Sequence, residues 1–275
     1  MNVIGYYGLN KNIFMKDVKV KELYKSESYE EGMNRLKYIK ELKGIGLITG
    51  VTGVGKTTLV RGFIDSLNKE KNNIIYISLT TSKKFEFLTM ICQSLGLSLG
   101  DCYLTNIKKR IQEEIIKQKT KYGKDTIIII DNAEKLDKEI LNDFNFLYEF
   151  EYDSEDYTSI VLVGEDEIRK ELKKTIYESL KQRLLFIYNL EGLNREETKE
   201  YIETRLKIAG QTTMIYEETS INALHNASQG IIRKLNTLIN LSMMIGYQVK
   251  KTKIDEEIVR IAVEENRIWK NMKKK

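Results

Sequence analysis

The sequence is as informative in what it lacks as in what it contains. Proline is absent from all 275 residues, where average usage of about 5% would place roughly 14. Lys, Asn, Ile and Tyr are plentiful, so the absence reads as compositional bias. It means that turns and helix starts are made without a preset φ. There is one histidine, His225. That excludes a multi-histidine metal site and nearly excludes a histidine-based triad, and leaves His225 as a packed or surface residue. The two cysteines, Cys92 and Cys102, have no CxxC spacing, which fits reduced thiols rather than a disulfide framework. The N-terminus carries no apolar leader run. No apolar stretch approaches the roughly 20 residues that cross a bilayer. A soluble, cytoplasmic protein is the expectation.

The composition that is there is ordinary for a globular chain: 41% hydrophobic, 31% charged, net charge +5. Mild basicity is compatible with nucleic-acid contact without requiring it. The length allows about two domains, or one core with an appended lid. Four segments are expected: a lead-in over 1–44, an α/β core over 45–190, a helical lid over 191–268 and a basic tail over 269–275.

The lead-in holds one helical pattern, Met33, Leu36, Ile39 and Leu42, stopping at Gly44. From residue 45, strands alternate with helices. The strands are GIGLITG, NNIIYISLT, DTIIIID, TSIVLVG and RLLFIYNL. The intervening helices are expected near 56–70, 84–95, 104–119, 136–150 and 167–181. The central run of four isoleucines is continuous rather than alternating, as in a parallel strand covered on both faces. The pattern predicts a parallel five-stranded sheet with right-handed crossovers. After Asn194 the strand signal disappears. NREETKEYIETRLKIAG opens with an Asn cap and a Glu three residues on, and further helices follow near 217–228, 231–247 and 255–268.

GVTGVGKT, Gly50 to Thr57, satisfies GxxxxGK[ST] in full, between a predicted strand and a predicted helix. The chemistry explains the spacing. Glycines let backbone N–H groups wrap phosphates, and the helix N-terminus adds partial positive charge. Gly50, Val51, Thr52, Gly53, Val54, Gly55, Lys56, Thr57 and Thr58 would form the cradle. Lys56 would reach the β- and γ-phosphates of ATP, and Thr57 would ligate Mg²⁺. Asp131, ending the isoleucine strand, is the matching magnesium-side carboxylate. No GxGxxG supports dinucleotide binding.

Seven ordered segments carry a resemblance to the ExeA-like AAA+ ATPases, in the clade that includes transposition regulators of the MuB, IstB and TnsC type. YYGLNKNIF resembles the family's opening FGL-x-x-NPF. LITGVTGVGKTTLVR and IIIIDNAEKL resemble its two nucleotide motifs, and IVLVGEDEI its sensor 1 strand end. LKQRL, LEGLNREETKEYIETRLKIAG and SQGIIRKLNTL resemble its box VII, lid start and sensor 2 turn. The resemblance implies a P-loop NTPase of the AAA+ type with a C-terminal helical lid. It implies Arg183 as a finger into a neighbouring subunit's site and Arg233 as a lid arginine reading the γ-phosphate. Assembly as a homo-oligomeric ring or filament follows with these.

The departures bear on catalysis. Asn132 stands where the family has Glu; an amide orients water but cannot take its proton, and losing a general base costs about 10²–10⁴ in rate. Glu165 and Glu134 replace family glutamines, and either could supply a carboxylate from a displaced position. The alternative is a slow or non-hydrolysing ATP-gated scaffold. Three family prolines are replaced by Ile13, Asp166 and Ile232.

Two partner classes follow. Relatives of the secretion type carry membrane and periplasmic parts after the lid, whereas stand-alone chains of this length resemble transposon-encoded ATPases that assemble on double-stranded DNA and recruit a transposase. Thr81, Lys83 and Lys84, then Thr105 and Lys108, combine hydroxyls with cations as phosphate contacts do. Charged faces of ordinary surface helices have the same composition.

Overall fold

The computed structural model describes residues 2–15, 18–80, 83–98, 104–150 and 156–272. Among these, five strands form one parallel sheet: β1 (Ile45–Thr49), β2 (Asn72–Ser78), β3 (Asp125–Asp131), β4 (Thr158–Val163) and β5 (Leu184–Asn189), in the order β2-β3-β4-β1-β5. The sheet explains the strand compositions. β1 and β4 are buried along their whole length and β3 almost so, and they lie inside the sheet. β5, at one edge, alternates between half-buried and exposed residues, and β2, at the other, is partly exposed. β4 lies between β1 and β3, with Val163 paired to both Ile48 and Asp131. The loops that leave β1, β3 and β4 therefore emerge side by side at the carboxyl ends of the strands, where open α/β sheets bind ligands.

The helices, in chain order, are α1 (Val3–Tyr6), α2 (Glu27–Leu42), α3 (Lys56–Ser66), α4 (Lys84–Ser94), α5 (Leu104–Tyr122), α6 (Lys138–Asn142), α7 (Asp166–Leu172), α8 (Glu178–Gln182), α9 (Arg195–Ile208), α10 (Glu218–Ser228), α11 (Ile232–Gln248) and α12 (Glu256–Met272). The chain divides into two compact units. One comprises residues 29–52 and 56–190; the other comprises 1–28, 53–55 and 191–275. The predicted lead-in is thus divided at residue 28.

In the sheet unit, α2 buries Met33, Leu36 and Ile39, while Leu42 is exposed. The helix stops at Lys43, which takes φ 52°, one residue before the glycine expected to end it. Two helices expected as single rods are broken. The segment 136–150 is a short α6, capped by the Asp137 carboxylate on the Glu139 N–H (3.2 Å), followed by a 3₁₀ turn over Phe144–Leu147. Its Asn142-Asp143 pair offers the backbone local alternatives to helix. The segment 167–181 splits into α7, a 3₁₀ turn at Thr175–Tyr177 and α8, with Lys174 extended between them. The buried residues Ile168, Leu172, Tyr177 and Leu180 are spaced unevenly, and no continuous helix would bury all four on one stripe.

In the second unit, α9 to α12 close over a core that takes in Tyr201, Leu235, Ile239 and Val259. Tyr7, Leu9, Ile13 and Phe14 of the N-terminal segment pack into it. The capping box expected at the start of α9 is present in both directions, Asn194 with Glu197. His225 is held by Thr198 (Nδ1 to Oγ1, 2.9 Å), and burial lowers its pKa, so it packs as a neutral ring. α12 continues through Met272 into the segment expected as a tail. Cys92 is buried; Cys102 lies outside the described residues. Among the described residues no helix is long and apolar enough to cross a membrane.

Candidate functional site

β1 delivers the phosphate loop. Thr49, fully buried, ends the strand and Gly50 begins the turn at φ 155°. Gly53 and Gly55 take φ 87° and 124°, a region that side chains other than glycine rarely occupy. The Lys56 ammonium folds over the loop, donating to the carbonyls of Gly50 (2.7 Å) and Val51 (3.2 Å). A charged donor on two neutral acceptors is a partnership that phosphate oxygens would displace. Lys56 opens α3, and the first N–H groups of a helix have no intrahelical acceptor, which suits them to an anion.

Thr57 lies one residue into the same helix, and its hydroxyl donates to Asp131 Oδ2 at 2.8 Å, across 74 positions of sequence. The Tyr76 hydroxyl on β2 donates to that same oxygen at 2.9 Å, and the Asn132 N–H donates to Oδ1 at 2.9 Å. Burial, then the charge of Asp131, pushes the Tyr76 hydroxyl up to about 12, so it is a donor at any physiological pH. This donor set fits Mg²⁺–ATP. Among the described residues no group of three His, Cys, Asp or Glu could hold a metal alone. Magnesium characteristically takes one or two protein oxygens and completes its shell with phosphate and water. A threonine hydroxyl that gives its proton to Asp131 keeps its lone pairs for such an ion. Thr57 and Asp131 would hold the metal, and Gly50–Thr58 the phosphates.

The three residues that bear on water activation have separate environments. Asn132 adopts the left-handed conformation, φ 59° and ψ 42°, which Asn tolerates better than most side chains. Its amide points to β2, donating to Ser78 Oγ (3.3 Å) and the Leu79 carbonyl (3.2 Å), which Lys135 Nζ also approaches at 3.4 Å. Glu134 turns toward β4: its Oε2 accepts the Glu165 N–H at 3.1 Å, at the start of α7. Glu165 reaches the phosphate loop itself, its carboxylate accepting the Thr52 hydroxyl. Of the two displaced carboxylates, the sheet order puts Glu165 on the loop and leaves Glu134 engaged in capping. Tyr76, Ser78 and the Thr52–Glu165 contact were not foreseen from sequence, because each depends on the register of β2 on β3 or of β4 on β1.

Arg183 follows α8 and enters β5. Its carbonyl accepts the Ile45 N–H (3.3 Å), at the end of β1 opposite the phosphate loop, and its guanidinium lies over the Tyr148 ring (5.5 Å). Five residues of strand at about 3.3 Å each separate it by roughly 16 Å from the loop of its own chain. In the other unit, Arg233, exposed in the first turn of α11, donates its N–H to the Gly53 carbonyl at 3.1 Å. A Cβ on Gly53 would lie 2.7 Å from Arg233 Cβ, so only glycine fits there.

Lys83, which caps α4, is exposed. The other two lysines of the expected phosphate-contact pattern are already partnered. Lys84 on α4 and Lys108 on α5 (2.7 Å) converge on Asp143, and Lys108 also lies over the Phe146 ring. Hydrogen bonds from Lys108 and Lys84 hold the Asp143 carboxyl below the usual aspartate range. Thr81 and the side chain of Thr105 lie outside the described residues.

Residues 39–172 match the family model of the AAA domain. Over 262 residues the chain is 27% identical to General secretion pathway protein A of Aeromonas hydrophila; the alignment covers 94% of this chain and 48% of that protein, so the chain spans about half its length. Among solved structures, the Aeropyrum pernix ORC2 protein superposes with a TM-score of 0.68 at 15% identity, covering 94% of this chain and 72% of that one. Thermotoga maritima RuvB superposes with a TM-score of 0.57 at 20% identity, covering 91% and 72%. The fold is that of a P-loop AAA+ NTPase.

Proposed function

We propose that this chain binds ATP with Mg²⁺ and hydrolyses it slowly, and that its ATP-bound form assembles with copies of itself on double-stranded DNA to recruit a transposase. The observation that carries the nucleotide part is the Thr57–Asp131 hydrogen bond beside a Lys56 resting on loop carbonyls. That is the acceptor-and-cation arrangement a magnesium-bound triphosphate requires. Glu165 is the residue we assign to water activation. It would take a proton from water as the oxygen attacks the γ-phosphorus and the bond to the departing ADP oxygen breaks. Its contact with Thr52 supports this reading, as does the engagement of Glu134 elsewhere. A base outside its usual position fits slow turnover, which suits a protein whose ATP-bound assembly is the working state. Arg183 and Arg233 keep the finger and lid roles that the resemblance implies.

The DNA part rests on less: the net charge of +5 and the exposed Lys83 at the start of α4. A second reading, an envelope-assembly ATPase, is favoured by the 27% identity to a secretion-pathway protein over nearly the whole chain. ATP turnover at low salt, with and without double-stranded DNA, separates them. Stimulation by DNA that fades as salt rises, as counterion release demands, is expected. Turnover indifferent to DNA would remove the transposition reading and leave the envelope one.

A further inference from the structure

The geometry points to Tyr76 as a positioning residue of the magnesium site, an inference that rests on the ATP–Mg²⁺ reading above. Asp131 is the carboxylate that ends β3 at the site, and what it offers a metal depends on how its plane is held. Its oxygens are asymmetrically engaged. Oδ1 accepts the backbone N–H of Asn132 at 2.9 Å. Oδ2 accepts two hydroxyls, Thr57 from α3 at 2.8 Å and Tyr76 from β2 at 2.9 Å. A carboxylate oxygen has two good acceptor directions, so Thr57 and Tyr76 fill Oδ2 between them. With one direction taken by Tyr76, Thr57 must approach along the other, which fixes where the lone pairs of its hydroxyl point. Tyr76 does not touch the phosphate loop in any described contact; it acts through Asp131.

The strand register makes the tyrosine suitable for this. Ser78 pairs with Asp131 and Tyr76 with Ile129. Tyr76 is thus one pleat repeat back on the neighbouring strand, on the same face as Asp131. A short side chain there could not span the diagonal separation between strands, about 7–8 Å; a tyrosine hydroxyl can. The ring is planar with two torsions, so little entropy is lost in aiming it. The residue is 39% exposed, so its presence is not required to fill the core.

Two opposite effects follow from the hydroxyl. Holding Asp131 in one orientation favours the metal; sharing the carboxylate's charge with a second donor weakens its pull. Groups that orient a ligand in this way are typically worth 10–100-fold in metal affinity, so the orienting effect is expected to dominate. Tyr76→Phe removes the hydroxyl and keeps the ring. Binding of a fluorescent ATP analogue is titrated with Mg²⁺, and separately measured in EDTA, so no hydrolysis is needed. The expected result is a Mg²⁺ half-saturation raised about tenfold with the affinity in EDTA unchanged. Loss of affinity in both conditions would mean a general structural role, and an unchanged or lowered Mg²⁺ requirement would mean that charge sharing dominates; either overturns the proposal. Failure of the unaltered protein to bind the analogue in either condition would overturn the nucleotide reading and this one together.

Discussion

At the scale of single residues, the proposed hydrolysis turns on which carboxylate would serve the water. Asn132 cannot, because its amide is turned to Ser78 and the Leu79 carbonyl. Glu165 and Glu134 are 31 positions apart in sequence and joined in space by one hydrogen bond, yet only Glu165 reaches the phosphate loop. Glu165→Gln is expected to lower ATP turnover by about 10²-fold or more, the usual cost of losing a general base, with ATP affinity retained. Glu134→Gln keeps an acceptor for the Glu165 N–H and is expected to cost less than tenfold on the same scale. Single-turnover kinetics of the two variants side by side check the assignment; a larger loss from Glu134→Gln would reverse it. The glycine loop was legible from local spacing and Asp131 from its place at the end of the isoleucine strand, and the two meet at the Thr57–Asp131 hydrogen bond. The partners of these residues were not legible in this way, since Tyr76 and Glu165 meet them only once strand neighbours are fixed.

At the scale of elements, long periodic stretches read correctly and short ones did not. The lid helices carry period-3.6 patterns, and the five strands stand out as short apolar runs, the isoleucine run of β3 being continuous because both faces are covered. The segments 136–150 and 167–181 are not single helices because their buried residues sit on separate short turns, around Phe144 and Tyr177, rather than on one helical stripe. Two of the three positions where the resembled family has proline, Asp166 and Ile232, are the first residues of α7 and α11. Proline is welcome at that position but not required, since its N–H would be unbonded anyway.

The junction of α4 and α5 is a testable element. Asp143 gathers Lys84 and Lys108, so neither is available to a polyanion while the carboxylate is charged. Because the folded pKa of Asp143 is depressed, this link is fully present above the unfolded value of about 3.9. It is lost only as pH falls through the lower folded value. Between pH 5 and 8 it is constant, and a DNA-binding change across that window would have to come from elsewhere. Asp143→Asn should release both lysines and tighten non-specific DNA binding at low salt, with a steeper salt dependence. Fluorescence anisotropy with a labelled duplex reads this directly. Unaltered affinity and slope would mean that this face does not meet DNA.

At the scale of the whole molecule, the finger role proposed for Arg183 carries a requirement for assembly. Its backbone is bonded to the start of β1, and the phosphate loop leaves the far end of that strand. The finger role implied for it can therefore be exercised only on another copy of the chain. The opposing reading is local: the guanidinium lies over Tyr148, and an arginine in that place could be a packing cation. Complementation decides between them. Arg183→Ala leaves the chain's own nucleotide cradle intact but deprives a neighbour of its finger; Lys56→Ala destroys the cradle but retains the finger. Each variant alone should lose turnover, about 10³-fold or more for the missing finger. Mixed in equal amounts, they should regain it, because some interfaces then pair an intact cradle with an intact arginine. Turnover by the mixture should rise with protein concentration, since sites shared between chains form by association. If Arg183 only packs on Tyr148, both variants are defective within their own chains and no mixture recovers. The lower activity of Arg183→Ala would then be accompanied by a lower melting temperature, which the finger reading does not require.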